Sequence, residues 1–193
     1  LMGLMEEMVH EVMAPHGGAF HPKVWVLRFL PEDSRKEACI RLLILSRNLT
    51  DDRSWDLSLC LEGKPQGGIH KVNREIASFL RSLPGWSTKR LSAARLQDIE
   101  SLASDLHRCT WELPGAFEQI EFHVLGVGQK PRAFQFAASD QTVIVSPFIS
   151  NEAIGAVLGK SGTGLALVSR AEELSLLSEE TRSRFERVDV MND

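Results

Sequence analysis

The chain has 193 residues, 43% hydrophobic and 25% charged, which is the composition of a folded globular protein. Its net charge of −4 excludes a generally basic nucleic-acid binder, so any phosphate recognition must be local. No apolar run approaches the roughly 18–20 residues of a membrane span, so no membrane association is predicted. The three cysteines form no CxxC pair, which predicts a reducing, cytoplasmic location.

The first half of the chain predicts helices around a group of strands. Apolar residues three and four apart predict an amphipathic helix over residues 2–13. Alternating or continuous apolar runs predict strands, and later segments with helical spacing predict two more helices, the first stopped by Pro84 and Gly85. The predicted strands cover residues 23–29, 41–46 and 57–62, and the predicted helices cover 71–83 and 91–107.

The second half predicts strands that alternate with helices. Strands are expected over 117–126 and 132–138, followed by a strand in 141–150 that opens into a helix over 151–159. A further strand over 163–170 and a helix over 171–185 complete the pattern. Because strand–helix–strand–helix order implies parallel pairing, the fold class predicted for the chain is α/β.

Polar side chains stand at the ends of two strands that we expect to be neighbours. His21 and Lys23 begin the run AFHPKVWVLRF, and alternate residues of a strand point to the same face. Since consecutive strands usually pair, an antiparallel arrangement would bring Asn48, which follows Ser46 at the exit of the second strand, beside His21. The set combines an imidazole, a cation and an amide donor.

This set is suited to a phosphodiester. An imidazole can attack phosphorus and form a covalent phosphohistidine. A lysine and an amide can stabilise the equatorial oxygens as charge develops, without a metal ion. A zinc site built from His10, His16 and His21 is the weaker interpretation, because His10 and His16 are six residues apart across a Pro-Gly break.

The pattern resembles the phospholipase D superfamily, whose motif is His-x-Lys-x4-Asp followed by a Ser-x-Asn segment. HPK supplies His21 and Lys23, and LSRNLT supplies Ser46 and Asn48. The resemblance implies that His21, Lys23 and Asn48 are catalytic, that Ser46 and Asp56 contact the substrate or orient the histidine, and that no cofactor or metal is needed. It continues in VIVSPFISNEAIGAVLG, which is similar to the opening of a second repeat.

The resemblance also implies an architecture. The expected fold is a phospholipase D-like mixed sheet flanked by helices, with one full motif and the start of a second repeat. Residues 1–70 would end the first repeat, 71–130 would be a helical connector, and 131–193 would begin the second repeat.

Two departures from the family pattern refine this expectation. Arg28 occupies the aspartate position, as in the tyrosyl-DNA phosphodiesterase-like branch, which favours a nucleic-acid substrate and leaves a bacterial nuclease as the other branch considered. The family builds one site from two His-x-Lys motifs, and this chain has one. The partner histidine would therefore come from residues absent here or from a homodimer.

The resulting functional hypothesis is a metal-independent phosphodiesterase or nuclease domain that works through a phosphohistidine intermediate. Whether His21 is the nucleophile or the acid is left open. Family habit suggests fusion to a helicase or restriction module. The alternative is a catalytically inactive domain that binds DNA or protein within a larger assembly.

Overall fold

The computed structural model describes residues 8–33, 37–47, 56–127, 139–159 and 164–191. The chain forms two compact units, residues 1–132 and residues 133–193. It is a mixed α/β protein, because the first unit contains an antiparallel sheet with helices and the second contains a parallel sheet with helices. In the described part of the chain, no helix has the length and apolar character needed to cross a bilayer.

The first unit is built on a four-stranded antiparallel sheet with strand order β1-β2-β3-β4. Its first three strands confirm the strands predicted from alternation, with shifted ends. The fourth is a short edge strand that the sequence did not predict. The strands are β1 (Val24–Phe29), β2 (Cys39–Leu45), β3 (Ser58–Pro65) and β4 (Cys109–Glu112).

One face of this sheet forms the core of the first unit. Ile40, Leu42 and Leu61 alternate on that face and are fully buried. They pack against the apolar faces of two helices, α1 (Arg74–Trp86) and α2 (Ala93–His107). The core therefore fixes which side of each strand faces inward, and with it the side to which neighbouring polar residues point.

Helix α1 runs two residues beyond the predicted stop at Pro84. Because proline has no amide hydrogen, position 84 cannot donate the helical hydrogen bond to the carbonyl of Leu80, and the last turn has one bond fewer. Trp86, at the end of the helix, packs against Phe79 with ring centroids 6.2 Å apart and against Phe20 at 6.4 Å. These aromatic contacts stabilise the final turn that local sequence rules predicted to be absent.

Two other predictions for this unit are corrected by the structure. The described part of the predicted N-terminal helix, residues 8–13, is not helical, because Val12 forms a β-bridge to Ser87 and the amide of Met13 bonds to the carbonyl of Trp86. The predicted strand over 117–126 is irregular, although Phe122 is buried as the alternation requires. The remainder of the N-terminal helix, residues 2–7, and the predicted strand 132–138 lie outside the described residues.

The second unit is a three-stranded parallel sheet with order β5-β6-β7, and it confirms the predicted parallel pairing. Ile154 and Leu158 pack on Leu167 in its core. The predicted helix over 171–185 is two shorter helices, and the last strand was not predicted. The elements are β5 (Thr142–Val145), α3 (Asn151–Leu158), β6 (Leu165–Ser169), α4 (Ala171–Leu176), α5 (Glu179–Arg182) and β7 (Arg187–Val190).

The three cysteines are expected to differ in reactivity. Cys109 is 1% exposed, and burial raises its pKa to about 12 from an ordinary value of 9.0, so almost no thiolate forms at pH 8. We expect a disulfide reagent such as Ellman's to modify the exposed Cys60 and the half-buried Cys39 in the native protein, but Cys109 only after denaturation. Peptide mapping of the labelled chain measures this, and labelling of native Cys109 at the rate of Cys60 would contradict it.

Candidate active site

The strand pair predicted to carry the site is present. β1 and β2 are antiparallel with Val24 opposite Ile44. The ladder continues one step beyond β1, since the amide of Leu45 donates to the carbonyl of Lys23 at 2.9 Å. Lys23 is thereby fixed as the residue that leads into β1, beside the exit of β2.

His21 and Lys23 are in direct contact. The Lys23 Nζ lies 3.0 Å from both His21 Nδ1 and His21 Nε2, and it donates to the His21 carbonyl at 3.3 Å. An ammonium group has only donors, so the ring nitrogen that bonds to it must be an unprotonated acceptor. The contact therefore occupies a ring-nitrogen lone pair, which can attack another group only after Lys23 moves its hydrogen bond elsewhere. His21 is exposed, and Lys23 is half-buried.

A second polar group lies where β2 ends and β3 begins. The Ser46 hydroxyl donates to Asp56 Oδ1 at 3.1 Å and accepts from the amide of Leu57 at 2.9 Å. The Arg47 Nε lies 3.7 Å from the same carboxylate oxygen. Because Ser46 joins the ends of two strands, it holds Asp56 and Arg47 at the same end of the sheet as Lys23.

The structure thus brings the predicted residues together in two pairs. Among the described residues, His21 hydrogen-bonds to Lys23, and Asp56 contacts Ser46 and Arg47. Asn48 lies outside the described residues. Arg47 is a cation that the sequence reasoning did not assign, although its place between Ser46 and Asn48 was a usable signal.

Arg28, at the family's aspartate position, has a structural role. Its guanidinium donates to Asp105 Oδ2 at 3.0 Å and to Ser101 Oγ at 2.8 Å, both on α2. The side chains of Arg28 and Asp105 are 21% and 17% exposed, so the pair is largely shielded from water. Arg28 therefore joins β1 to the helix layer and does not take part in the polar group at the strand ends.

Restoring an aspartate at position 28 is expected to destabilise the first unit. Arg28→Asp places two carboxylates together in a partly buried site, and we expect the free energy of unfolding to fall by about 2 kcal/mol or more. Arg28→Met, which keeps the packing, should cost less, since Asp105 retains its ion pair with Arg108 at 2.8 Å. Urea unfolding followed by tryptophan fluorescence measures both variants.

The exposed ion pair of Arg41 and Glu62 provides the matched control for this prediction. Arg41→Met should change the free energy of unfolding less than Arg28→Met, because its pair is about half exposed. Equal effects of the two methionine substitutions would show that the link between Arg28 and α2 contributes little.

A cavity of about 560 Å³ adjoins the segment that carries His21 and Lys23. Phe20, Pro22 and Val24 line it, whereas His21 and Lys23 do not. Alternate residues of this extended segment thus contribute to two different surfaces. The cavity also contacts α1 and the coil of residues 121–127, and sequence reasoning missed it because its walls come from four separate segments.

No group of three or more His, Cys, Asp or Glu side chains suited to a metal ion occurs among the residues that the structure describes. The side chain of His16, one member of the weaker zinc interpretation, is not among those described. The chain matches no family model, no curated protein and no solved structure with which it was compared. The functional argument therefore rests on the side chains at the strand ends.

Proposed function

We propose that this chain is a metal-independent phosphodiesterase domain of the phospholipase D type, acting on nucleic-acid phosphodiesters. The observation that carries the proposal is the contact between the exposed His21 imidazole and the Lys23 ammonium at 3.0 Å. A histidine ring nitrogen and a cation side by side are the two groups that attack on a phosphodiester requires: a nucleophile for phosphorus and a positive charge for its oxygens.

The first chemical step follows from this pair. The lone pair of a His21 ring nitrogen attacks phosphorus, a P–N bond forms, and the P–O bond to the leaving alcohol breaks. Lys23 moves its hydrogen bonds from the imidazole to a non-bridging oxygen, where negative charge increases. Water then attacks phosphorus and the P–N bond breaks, which regenerates His21, while the group that gave its proton to the leaving alkoxide takes a proton from the water.

The leaving alkoxide needs a proton, so the domain needs a second group that acts as a general acid. None of the other five histidines of the chain has a lysine two residues later. In this proposal the acid comes from a second His-x-Lys motif, supplied by a second copy of the chain or by further residues. Measurement of the molecular mass in solution distinguishes a homodimer from a monomer.

The proposal of a nucleic-acid substrate is supported by the exposure of His21 and by the local positive charge. His21 is exposed, so a long polymer can reach it. Arg47 adds a second cation beside Asp56 at the same end of the sheet, which suits a backbone with successive phosphates. A net charge of −4 makes this attraction local. Fusion to a helicase or restriction module would supply further nucleic-acid contacts.

The direct test is to trap the phosphohistidine. Bis-p-nitrophenyl phosphate is the probe, because p-nitrophenolate leaves without protonation and a single histidine suffices for the first step. With EDTA present, an alkaline quench should preserve a p-nitrophenyl phosphoryl adduct on His21, located by peptide mass spectrometry. An adduct on another residue, or activity that requires added metal ions, would contradict the proposal.

The alternative function is a catalytically inactive domain that binds nucleic acid or protein. Its support is the presence of one His-x-Lys motif in the chain and an arginine in place of the motif's aspartate. In that case no adduct forms, and labelled single-stranded DNA still binds in a fluorescence anisotropy titration. Adduct formation on His21 excludes this alternative.

A further inference from the structure

The cavity behind the His21 segment has aromatic walls on one side. Phe20, Phe79 and Trp86 form a cluster with centroid separations of 6.2–6.4 Å. All three line the cavity of about 560 Å³, a volume within the usual range for small-ligand sites. At these separations the rings pack on one another, and the ring surfaces that they leave on the cavity can stack on a flat ring system.

The ionisable part of the lining is a pair of side chains, Glu121 and His123. The Glu121 carboxylate pairs with His123 at 3.3 Å, and the Glu121 side chain is 77% exposed, so this carboxylate belongs to the rim of the cavity. A carboxylate repels a phosphate group but accepts hydrogen bonds from an amino group on a ring edge, as carboxylates accept from the amino group of cytosine. We therefore expect a phosphate to bind beside Lys23 and an uncharged ring with an amino group to bind in the cavity.

We propose that the cavity receives a nucleobase bearing an exocyclic amino group, from the nucleotide whose phosphate lies at His21. This inference rests on the proposed function, since it takes the phosphate site at His21 as given. The connection is the shared segment: Phe20 and Pro22 line the cavity, and the residues that alternate with them, His21 and Lys23, do not. Since β1 is an edge strand, a nucleotide can pass around the segment without crossing the sheet.

The substrate class follows from this arrangement. A base that enters a cavity has left its stack and its pairing partner, and this costs least in single-stranded nucleic acid. The substrate is therefore single-stranded nucleic acid, or a frayed end, with adenine, cytosine or guanine next to the scissile phosphate. Thymine and uracil lack the amino group that Glu121 accepts.

Binding of small probes tests this without turnover. We expect isothermal titration of the chain to show saturable binding of adenosine, with thymidine about tenfold weaker because one hydrogen bond to a charged group is lost. Glu121→Ala should remove the preference for adenosine over thymidine, whereas Glu118→Ala, an exposed carboxylate on the same coil, should leave it unchanged. Ala19→Trp, at an exposed position on the lining, should weaken both nucleosides at least tenfold.

Two further results separate this inference from the proposed function. His21→Ala should bind adenosine as the unchanged chain does, because His21 does not line the cavity. If adenosine does not bind while the phosphohistidine forms, the cavity proposal is wrong and the function stands. If adenosine binds and no phosphohistidine forms, the proposed function is wrong and the cavity proposal stands. Equal binding of adenosine, thymidine and N-acetyltyrosinamide would overturn the assignment to an amino-bearing nucleobase.

Discussion

His21→Ala is expected to reduce hydrolysis of bis-p-nitrophenyl phosphate by about a thousandfold or more, because it removes the atom that attacks phosphorus. Lys23→Ala should cost about a hundredfold, since the imidazole remains but the charge on the phosphoryl oxygens is less well balanced. The initial rate of p-nitrophenolate release in EDTA measures both effects.

The controls for this prediction come from the same chain. His10→Ala removes an exposed histidine from the described N-terminal segment and should leave the rate unchanged. Lys23→Arg keeps the positive charge and should recover part of the activity lost in Lys23→Ala. A His21→Ala protein that keeps its rate, with an unchanged circular dichroism spectrum, would remove His21 from the reaction.

Gly63→Ala is expected to give the largest loss of stability, about 3 kcal/mol in the free energy of unfolding of the first unit. A Cβ at this buried position in β3 would lie 2.5 Å from the carbonyl oxygen of Thr110 and 2.6 Å from the sulfur of Cys109. Because the nearest of these atoms belongs to the paired backbone of β4, it cannot move aside without breaking the ladder.

Tryptophan fluorescence isolates this effect. All four tryptophans lie at or before position 111, so the signal reports the first unit alone. Gly68→Ala is the matched control, because a Cβ there meets no atom within 4 Å and should leave the urea midpoint nearly unchanged. Similar midpoints for the two variants would show that β4 is not held against Gly63 as described.

The sequence predicted the elements whose pattern is local. Alternating apolar residues predicted β1, β2 and β3, and the strand–helix order predicted the parallel sheet of the second unit. The His-x-Lys spacing predicted that His21 and Lys23 share one side of a segment, and the two side chains are in contact. These predictions succeed because strand period and nearest-neighbour pairing depend on residues close in sequence.

The predictions that were wrong depended on partners distant in sequence. Residues 117–126 alternate as a strand does, yet the amide of Val124 donates to the Glu75 carboxylate at 3.1 Å and joins no ladder. β4 has only four residues, and it forms a strand because it pairs with the edge of β3. The Met-rich start of the chain has helical spacing, but its described part pairs with the loop after α1.

By itself, the sequence determined the fold class, the central strands and the residues proposed for attack on phosphorus. Each of these depends on the spacing of residues that are close together in the sequence. Only the tertiary structure decided that Arg28 bonds to α2, that Asp56 is bound to Ser46 and Arg47, and that a cavity lies behind the His21 segment. Such contacts join residues tens of positions apart, and they form only when packing of the core brings their elements together.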